Sequence, residues 1–426
     1  MRFSIQPAFI PLAFIRRAFL SLQSRSLHQP TPKSHFMIWF LVICLGMTSS
    51  PALARESRSE DTLPNPLELT EPDPLLPTLA VDRPLSPQER RVLATALDEL
   101  QAQATAKFNA GDTAGAFEIW TRELRLRRFL GPEEEVRSLS RVGEVAWSQS
   151  QTTEVRFITQ RLQTIEQEQQ LQSPPDYGLL LQIAEAYQKM RARLPAVALY
   201  GQLLTRAQAQ KNVAQQEQIL TALGDLHLSW FDYPNAAIAY QQLGQLQKAQ
   251  GNEAGEVQAL QTLADIYQRN NQPEQAIAPR QRLVEIYRRK QDVTQIAIQK
   301  LAIGDAYLAL NRPDQAATSY QEAFAVSRSA QQYGYGSEAL QRLASIYQSL
   351  NRPNDVLFVY QLLLDVQQQS YDTLGMMNTY DLIGQVQRTQ GNSAEATNAF
   401  RQGLQLAQQL KYKVEYFTSQ LQAATP

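Results

Sequence analysis

IGDAYLALNRPDQAATSY, at residues 303–320, decides the fold because its pattern recurs 40 residues earlier and 40 residues later. The earlier copy is LADIYQRNNQPEQAIAPR at 263–280, and the later copy is LASIYQSLNRPNDVLFVY at 343–360. Each copy has an apolar residue followed by a small one, a tyrosine three positions later, and alanine or valine twelve positions later. A fixed period of this length indicates an array of identical supersecondary units.

The pattern extends in both directions along the chain. Clear copies are centred on Leu223-Gly224, Ile383-Gly384 and Ile183-Ala184, and weaker ones on Val142-Gly143 and the region around Ala104. The sequence therefore predicts about eight units. The degraded copies fall at one end, where a terminal repeat must present one face to solvent.

Each unit is predicted to be two antiparallel helices. Apolar residues in 254–270 follow the three-four spacing of one helix face. A residue that tolerates left-handed backbone geometry follows seven positions after the small residue, and it is Asn271, Asn311, Asn351, Gly391 or Gly111. Proline two positions later suits the first turn of a second helix, as at 273, 313 and 353. We expect that helix to end at a break at Asn212, Asn252, Asp292 or Asp372.

These residues resemble the tetratricopeptide repeat over about 104–403. The resemblance implies an all-α fold, an α-solenoid of about eight helix-turn-helix units in a right-handed superhelix. It also implies that the first helices line a concave groove that binds peptides or proteins. The units have 40 residues instead of the common 34 and mostly lack the closing proline, so they resemble the long-helix variant. Their glutamine-rich composition resembles exported cyanobacterial repeat proteins.

The first 54 residues are predicted to be a signal or targeting segment. They contain five basic residues, no acidic residue and the apolar run 36–47, and they end in Ala52-Leu53-Ala54. We expect cleavage after Ala54 and export to a periplasm or thylakoid lumen. Arg16-Arg17 leaves a twin-arginine route open, and translation from Met37 remains an alternative. Cys44 is the single cysteine, so the mature chain has no thiol, which fits an oxidising compartment.

Two further segments frame the repeats. Prolines deny regular structure to 55–87, so this stretch is predicted to be a disordered linker, followed by repeats over 88–426. A last amphipathic helix at 411–424, with Val414, Phe417 and Leu421 on one face, is expected to cap the array. Without the leader, 35 basic residues face 41 acidic ones, which argues against a nucleic-acid partner. No membrane span is expected in the mature chain.

The sequence favours a binding module over an enzyme. His227 is the only histidine outside the leader and takes the aromatic position of its repeat, so core packing explains it better than acid–base chemistry. No glycine-rich phosphate loop and no histidine metal cluster can be assembled. We therefore expect no catalytic residue, no metal site and no cofactor.

One row of residues is a candidate partner-binding site. The position after each small residue belongs to the first helix, and the family resemblance places it in the groove. It is acidic in five consecutive units: Glu144, Glu185, Asp225, Asp265 and Asp305. A row of one sign concentrates oppositely charged ligands, so a basic or polar segment is one expected occupant. A solvated face is the alternative, since Lys189 and Arg269 follow two of these acids at helical spacing. Apolar candidates three positions along the groove are Trp147, Leu228 and Leu308.

Two functional hypotheses follow. The first is a non-enzymatic scaffold that binds protein or peptide partners in the groove and helps to assemble an envelope or thylakoid complex. The second is a non-catalytic repeat subunit of an enzyme or signalling system whose active domain is on another chain. The genomic neighbours would separate them, since an adjacent hydrolase or kinase favours the second.

Overall fold

A computed structural model describes residues 65–69, 72–76 and 84–424. All of them lie in the second of two compact units of the chain, 63–426. The predicted signal segment and its cleavage site after Ala54 lie outside the described residues, as do 55–64, 70–71 and 77–83 of the predicted linker.

The described residues form α-helices and no strand, as the repeat pattern predicts. The seventeen α-helices in this part of the chain are α1 Pro87–Asn109, α2 Thr113–Arg127, α3 Pro132–Ser148, α4 Thr152–Gln170, α5 Tyr177–Lys189, α6 Arg193–Ala209, α7 Val213–Ser229, α8 Tyr233–Ala249, α9 Glu253–Arg269, α10 Pro273–Arg289, α11 Val293–Ala309, α12 Pro313–Ser329, α13 Tyr333–Ser349, α14 Pro353–Gln369, α15 Thr373–Thr389, α16 Ser393–Leu410 and α17 Val414–Ala424. A short 3-10 helix, Arg128–Leu130, joins α2 to α3.

Consecutive helices pack in pairs, which gives eight repeats, α1/α2 to α15/α16, each with a first and a second helix. This is the predicted α-solenoid with the predicted number of units. The final helix α17 packs on α16 and inserts Phe417, which is fully buried, while Val414 and Leu421 are partly buried. The final helix thus lies where the sequence predicts a C-terminal cap.

The turn inside most repeats depends on one left-handed residue. Asn271, Asn311 and Asn351 have φ of 52°, 56° and 52°, and Gly111 and Gly391 have φ of 87° and 82°. The next helix then begins two positions later, at a proline in three of these repeats. The predicted stop signals are therefore confirmed.

The turns between repeats differ from the prediction by one position. The left-handed residue is Lys211, Gly251, Gln291 or Tyr371, one place before the predicted break. The break residue itself caps the next first helix, because Asp292 Oδ1 accepts a hydrogen bond from the Gln295 N–H at 3.1 Å. Asn212, Asn252 and Asp372 do the same. A side-chain oxygen at this place satisfies an amide that the helix cannot.

In three repeats the glycine of the first helix lies directly against an aromatic ring from the second helix of the same repeat. A Cβ on Gly304 would lie 2.3 Å from Cε1 of Tyr320, and one on Gly224 would lie 2.6 Å from Cε2 of Tyr240. Phe400 lies against Gly384 in the same way. The pattern of small and aromatic residues sixteen positions apart thus records the closest approach of the two helices.

In repeat 6 the more deeply buried ring is Tyr320, and not Tyr307, which lies three positions after the small residue. Tyr320 is fully buried, whereas Tyr307 is only half-buried between two clusters. A truncation at Tyr307 should therefore cost less than a full core aromatic, because part of its surface already meets solvent.

Candidate protein-interaction face

The exposed side of the first helices is called here the first-helix face. It carries the acidic row Glu144, Glu185, Asp225, Asp265 and Asp305, and all five side chains are exposed. Of the apolar candidates, Trp147 is 46 % exposed and Leu308 is 47 % exposed. Leu228 is half-buried and packs against the cluster around Leu220 and Tyr240, so it offers less surface to a partner.

Two acids of the row also tie the helices of their own repeats together. Asp225 accepts a hydrogen bond from the Tyr240 hydroxyl at 2.6 Å, and Asp305 accepts one from Tyr320 at 2.6 Å. Burial raises the pKa of Tyr240 and of Tyr320 well above the usual range, and the carboxylates add to the shift. The hydroxyls therefore stay protonated and donate. The expectation of a purely solvated face does not hold at these two positions.

The ion pairs along the row are made between helices. Lys189 Nζ lies 3.7 Å from Oε2 of Glu144, in the preceding repeat, and not beside Glu185 as its spacing suggests. Asp265 lies 3.9 Å from Arg280, and Asp305 pairs with Arg342 of the next repeat.

The expectation that Lys189 and Arg269 each pair with the row acid of their own helix is therefore wrong. Repeat stacking brings the basic side chains of other helices nearer. Glu185 and Asp225 make no ion pair within the described part of the chain, and of these two only Asp225 accepts a tyrosine hydroxyl.

Repeat 5 replaces the buried ring with an arginine. Arg280 occupies the aromatic position, and its guanidinium is held by Gln268 at 2.8 Å and by Gln299 at 3.2 Å. Both amide oxygens come from first helices, of the same repeat and of the next. The Asp265 carboxylate thus faces a buried cation where its neighbours face a tyrosine hydroxyl.

A basic cavity lies at the start of the array, between α1 and α3. Its volume is 630 Å³ and its lining includes the arginines Arg90, Arg91, Arg127, Arg137 and Arg141 against the acids Asp98 and Glu134. Arg127 and Arg141 are already bound to the buried Glu123. Arg90 and Arg91 are exposed and make no ion pair among the described residues.

The cavity and the acidic row share the first-helix face but take opposite ends of its helices. Arg137 precedes Glu144 by seven residues on α3, so the two side chains lie on one face, two turns apart. The face therefore presents the exposed cations Arg90 and Arg91 near the start of α1 and is acidic along the ends of α3, α5, α7, α9 and α11. At the start of α3, Arg137 is paired with Glu134 at 2.7 Å. The repeat pattern does not reveal this cavity, although the arginines between 90 and 141 are a signal for it in the sequence.

The chemistry available on this face is recognition of charge. Exposed guanidinium groups bind carboxylates in a fixed, forked geometry, while exposed carboxylates attract ammonium and guanidinium groups. Among the described residues no group of three or more potential ligands that could hold a metal ion occurs. Nor is any described helix long and apolar enough to cross a bilayer.

Residues 300–329 match the family model of the tetratricopeptide repeat. The match covers the end of α11, the turn at Asn311 and all of α12, which together form most of repeat 6. The same small residue, turn and buried ring recur in most of the other repeats. No curated protein matches the chain.

Several solved structures are similar to the chain. It is 20 % identical to MamA over 45 % of this chain and 98 % of that one, with a TM-score of 0.30. It is 10 % identical to the apo form of RapI over 74 % of this chain and 98 % of that one, with a TM-score of 0.34. A signal-transduction ATPase from Pyrococcus horikoshii with a tetratricopeptide repeat sensor is 12 % identical over 79 % of this chain and 52 % of that one, with a TM-score of 0.35.

Proposed function

The chain carries tetratricopeptide repeats, and on this premise we propose that it is a non-enzymatic scaffold that binds a partner protein on the first-helix face. The observation that carries the proposal is the separation of charge on that face, with the arginine-lined cavity at one end and the acidic row along the other. The bound segment carries acidic residues that enter the cavity and basic residues that follow the row.

Charge separation favours one orientation of the partner. A segment bound in the reverse direction would place carboxylates against the row and cations against Arg90 and Arg91, and like charges in contact oppose binding. Exposed pairs of this kind each contribute little to affinity, at most about 1 kcal/mol. Their number and layout therefore govern association rate and orientation, while apolar contacts at Trp147 and Leu308 supply affinity.

Affinity capture from an envelope extract tests the scaffold. The row variant should change Glu185→Gln and Asp265→Asn, because these acids hold no tyrosine hydroxyl. The cavity variant should change Arg90→Gln, Arg91→Gln and Arg137→Gln. We expect each variant to lose most of the partner that the unchanged chain captures.

The matched control is Asp365→Asn, which removes an exposed acid from the second helix α14. It should capture the partner as the unchanged chain does. Equal capture by all four proteins would overturn the assignment of the first-helix face.

The export of the chain belongs to the same proposal. The scaffold works in a periplasm or thylakoid lumen, where it assists assembly of an envelope or membrane complex. A reporter fused to residues 1–60 should leave the cytoplasm, and N-terminal sequencing of the product should begin at Arg55. A reporter that stays in the cytoplasm would place the scaffold elsewhere.

A further inference from the structure

Two short segments before the repeats share one sequence pattern and one conformation. They read Asn-Pro-Leu at 65–67 and Asp-Pro-Leu at 73–75. In each, the side-chain oxygen of the first residue accepts the N–H two positions on, at 3.0 Å for both Leu67 and Leu75. A backbone bond from the fourth residue to the first closes the turn, at 3.0 Å and 2.9 Å. Proline at the second position fixes φ for such a turn in advance.

Both turns are docked on the second-helix side of repeats 1 and 2. Asn65 donates from Nδ2 to the backbone oxygen of Phe157 on α4 at 2.9 Å. Leu67 is 4 % exposed and belongs to the buried cluster that contains Leu124 of α2 and Leu162 of α4. The predicted linker is therefore packed at this point, a feature that its proline content did not reveal.

The second turn is held by charge. The Arg122 guanidinium binds Asp73 through two bonds, from Nε at 2.8 Å and from Nη2 at 2.9 Å. The Asp73 side chain is 4 % exposed, and Arg125 lies 3.9 Å away. Leu75 and Leu76 pack against the cluster around Leu97 and Leu126.

Arg128 completes the surface between the two turns. Its guanidinium donates to the backbone oxygens of Glu68, at 3.5 Å, and Leu69, at 3.2 Å. Thr164 on α4 donates to the Glu68 carboxylate at 3.1 Å. Each kind of group in the segment therefore has a complementary partner on the helices. Its backbone oxygens and carboxylates accept hydrogen bonds, its amide donates one, and its leucine is buried. This is the chemistry of a peptide-binding site and not of a spacer.

We propose that the surface formed by α2, Arg128 and α4 is a recognition site for Asx-Pro-Leu turns, occupied by the chain's own residues 65–69 and 72–76 as an intramolecular ligand. The site lies on the second helices, so it is separate from the first-helix face and does not rest on the scaffold function. Each turn is preformed by its proline and its Asx oxygen, which lowers the ordering cost of binding. The first turn is read by its amide and its leucine, and the second by its carboxylate.

The full chain and a labelled peptide of residues 63–78, LPNPLELTEPDPLLPT, test the site. Leu67→Asp with Asp73→Asn in the chain should release its own segment. The labelled peptide should then bind this variant at least about tenfold more tightly than the unchanged chain, whose site is filled. Adding Arg122→Gln to the variant, or Asp73→Asn to the peptide, should reverse the gain.

Equal binding of the peptide by the unchanged and the released chain, with helical circular dichroism intact in both, would overturn the proposal. A second measurement avoids dependence on the double variant. Cleavage after Glu68 by a glutamate-specific protease should be at least about tenfold faster in Arg122→Gln than in the unchanged chain, because the segment is then less often docked. Asp365→Asn, the matched surface control, should be cleaved at the original rate. Identical rates in all three proteins would also contradict the site.

Discussion

At the scale of the residue, the glycine or alanine of each repeat and the ring sixteen positions later form one contact. Gly304 leaves no room for a Cβ beside Tyr320, whereas Ala184 and Ala344 hold the same place opposite Tyr200 and Tyr360. The ring and the backbone can therefore move apart enough to admit an alanine methyl group, although this loosens the contact that glycine allows. A small residue at a fixed spacing from a ring is the sequence signal of this close approach, since a larger side chain would separate the two helices.

Two glycine-to-alanine substitutions should change the free energy of unfolding in opposite directions. Gly304→Ala should lower the free energy of unfolding by about 1 kcal/mol, because crowding Tyr320 outweighs the better helix propensity of alanine. Gly201→Ala, in α6, should raise it by roughly 0.5–1 kcal/mol, since a Cβ there meets nothing within 4 Å. Urea unfolding of the two variants checks this. A stabilising Gly304→Ala would show that the ring does not pack on the glycine.

The buried Asp73 carboxylate should make the stability of the chain depend on pH. The Arg122 guanidinium bound to Asp73 holds the pKa of that carboxyl below its usual 3.8. A lowered pKa in the folded state contributes stability above pH 3.8 that is lost as the pH falls through the lower value.

The thermal midpoint of the unchanged chain should therefore exceed that of Asp73→Asn by a constant amount between about pH 5 and pH 8. The difference should vanish in stronger acid. A difference that persists at low pH would mean that the carboxylate is not what Arg122 recognises.

At the scale of the element, the helix boundaries could be predicted because turn chemistry is local. Asparagine or glycine at the turn inside the repeat predicted the left-handed residue correctly. At the turn between repeats the left-handed residue is Gln291 or Tyr371, neither of which favours that geometry, so the sequence placed the break at the capping residue that follows. Stacking of the repeats imposes the conformation there.

Glycine should relieve the strain of the left-handed backbone at Tyr371. Tyr371 has φ of 58° and is 92 % exposed, so Tyr371→Gly removes strain without removing a buried contact. We expect the free energy of unfolding to rise by about 1 kcal/mol. Leu171→Gly is the control, since Leu171 is also exposed at a helix end but has φ of −78°. If thermal melts show both variants destabilised equally, the left-handed turn is not strained.

At the scale of the whole array, the sequence predicted a groove-lining row but not its pairing. Lys189 and Arg342 reach acids on neighbouring repeats, a contact that depends on how repeats stack and not on spacing within one helix. The arginine-lined cavity was missed for the same reason, because α1 ends at Asn109 and α3 begins only at Pro132, beyond an intervening helix. The docked turns at 65–69 and 72–76 were missed because prolines indicate that a helix is absent and carry no information about docking.

The most direct test of the first-helix face is titration with a labelled peptide that has a block of glutamates at one end and a block of lysines at the other. We expect the unchanged chain to bind it at least about tenfold more tightly than a scrambled peptide of the same composition, and raised salt to remove the preference. The row variant and the cavity variant should each lose the preference, and Asp365→Asn should keep it. Equal affinity for the block and scrambled peptides at low salt would contradict recognition by separated charge.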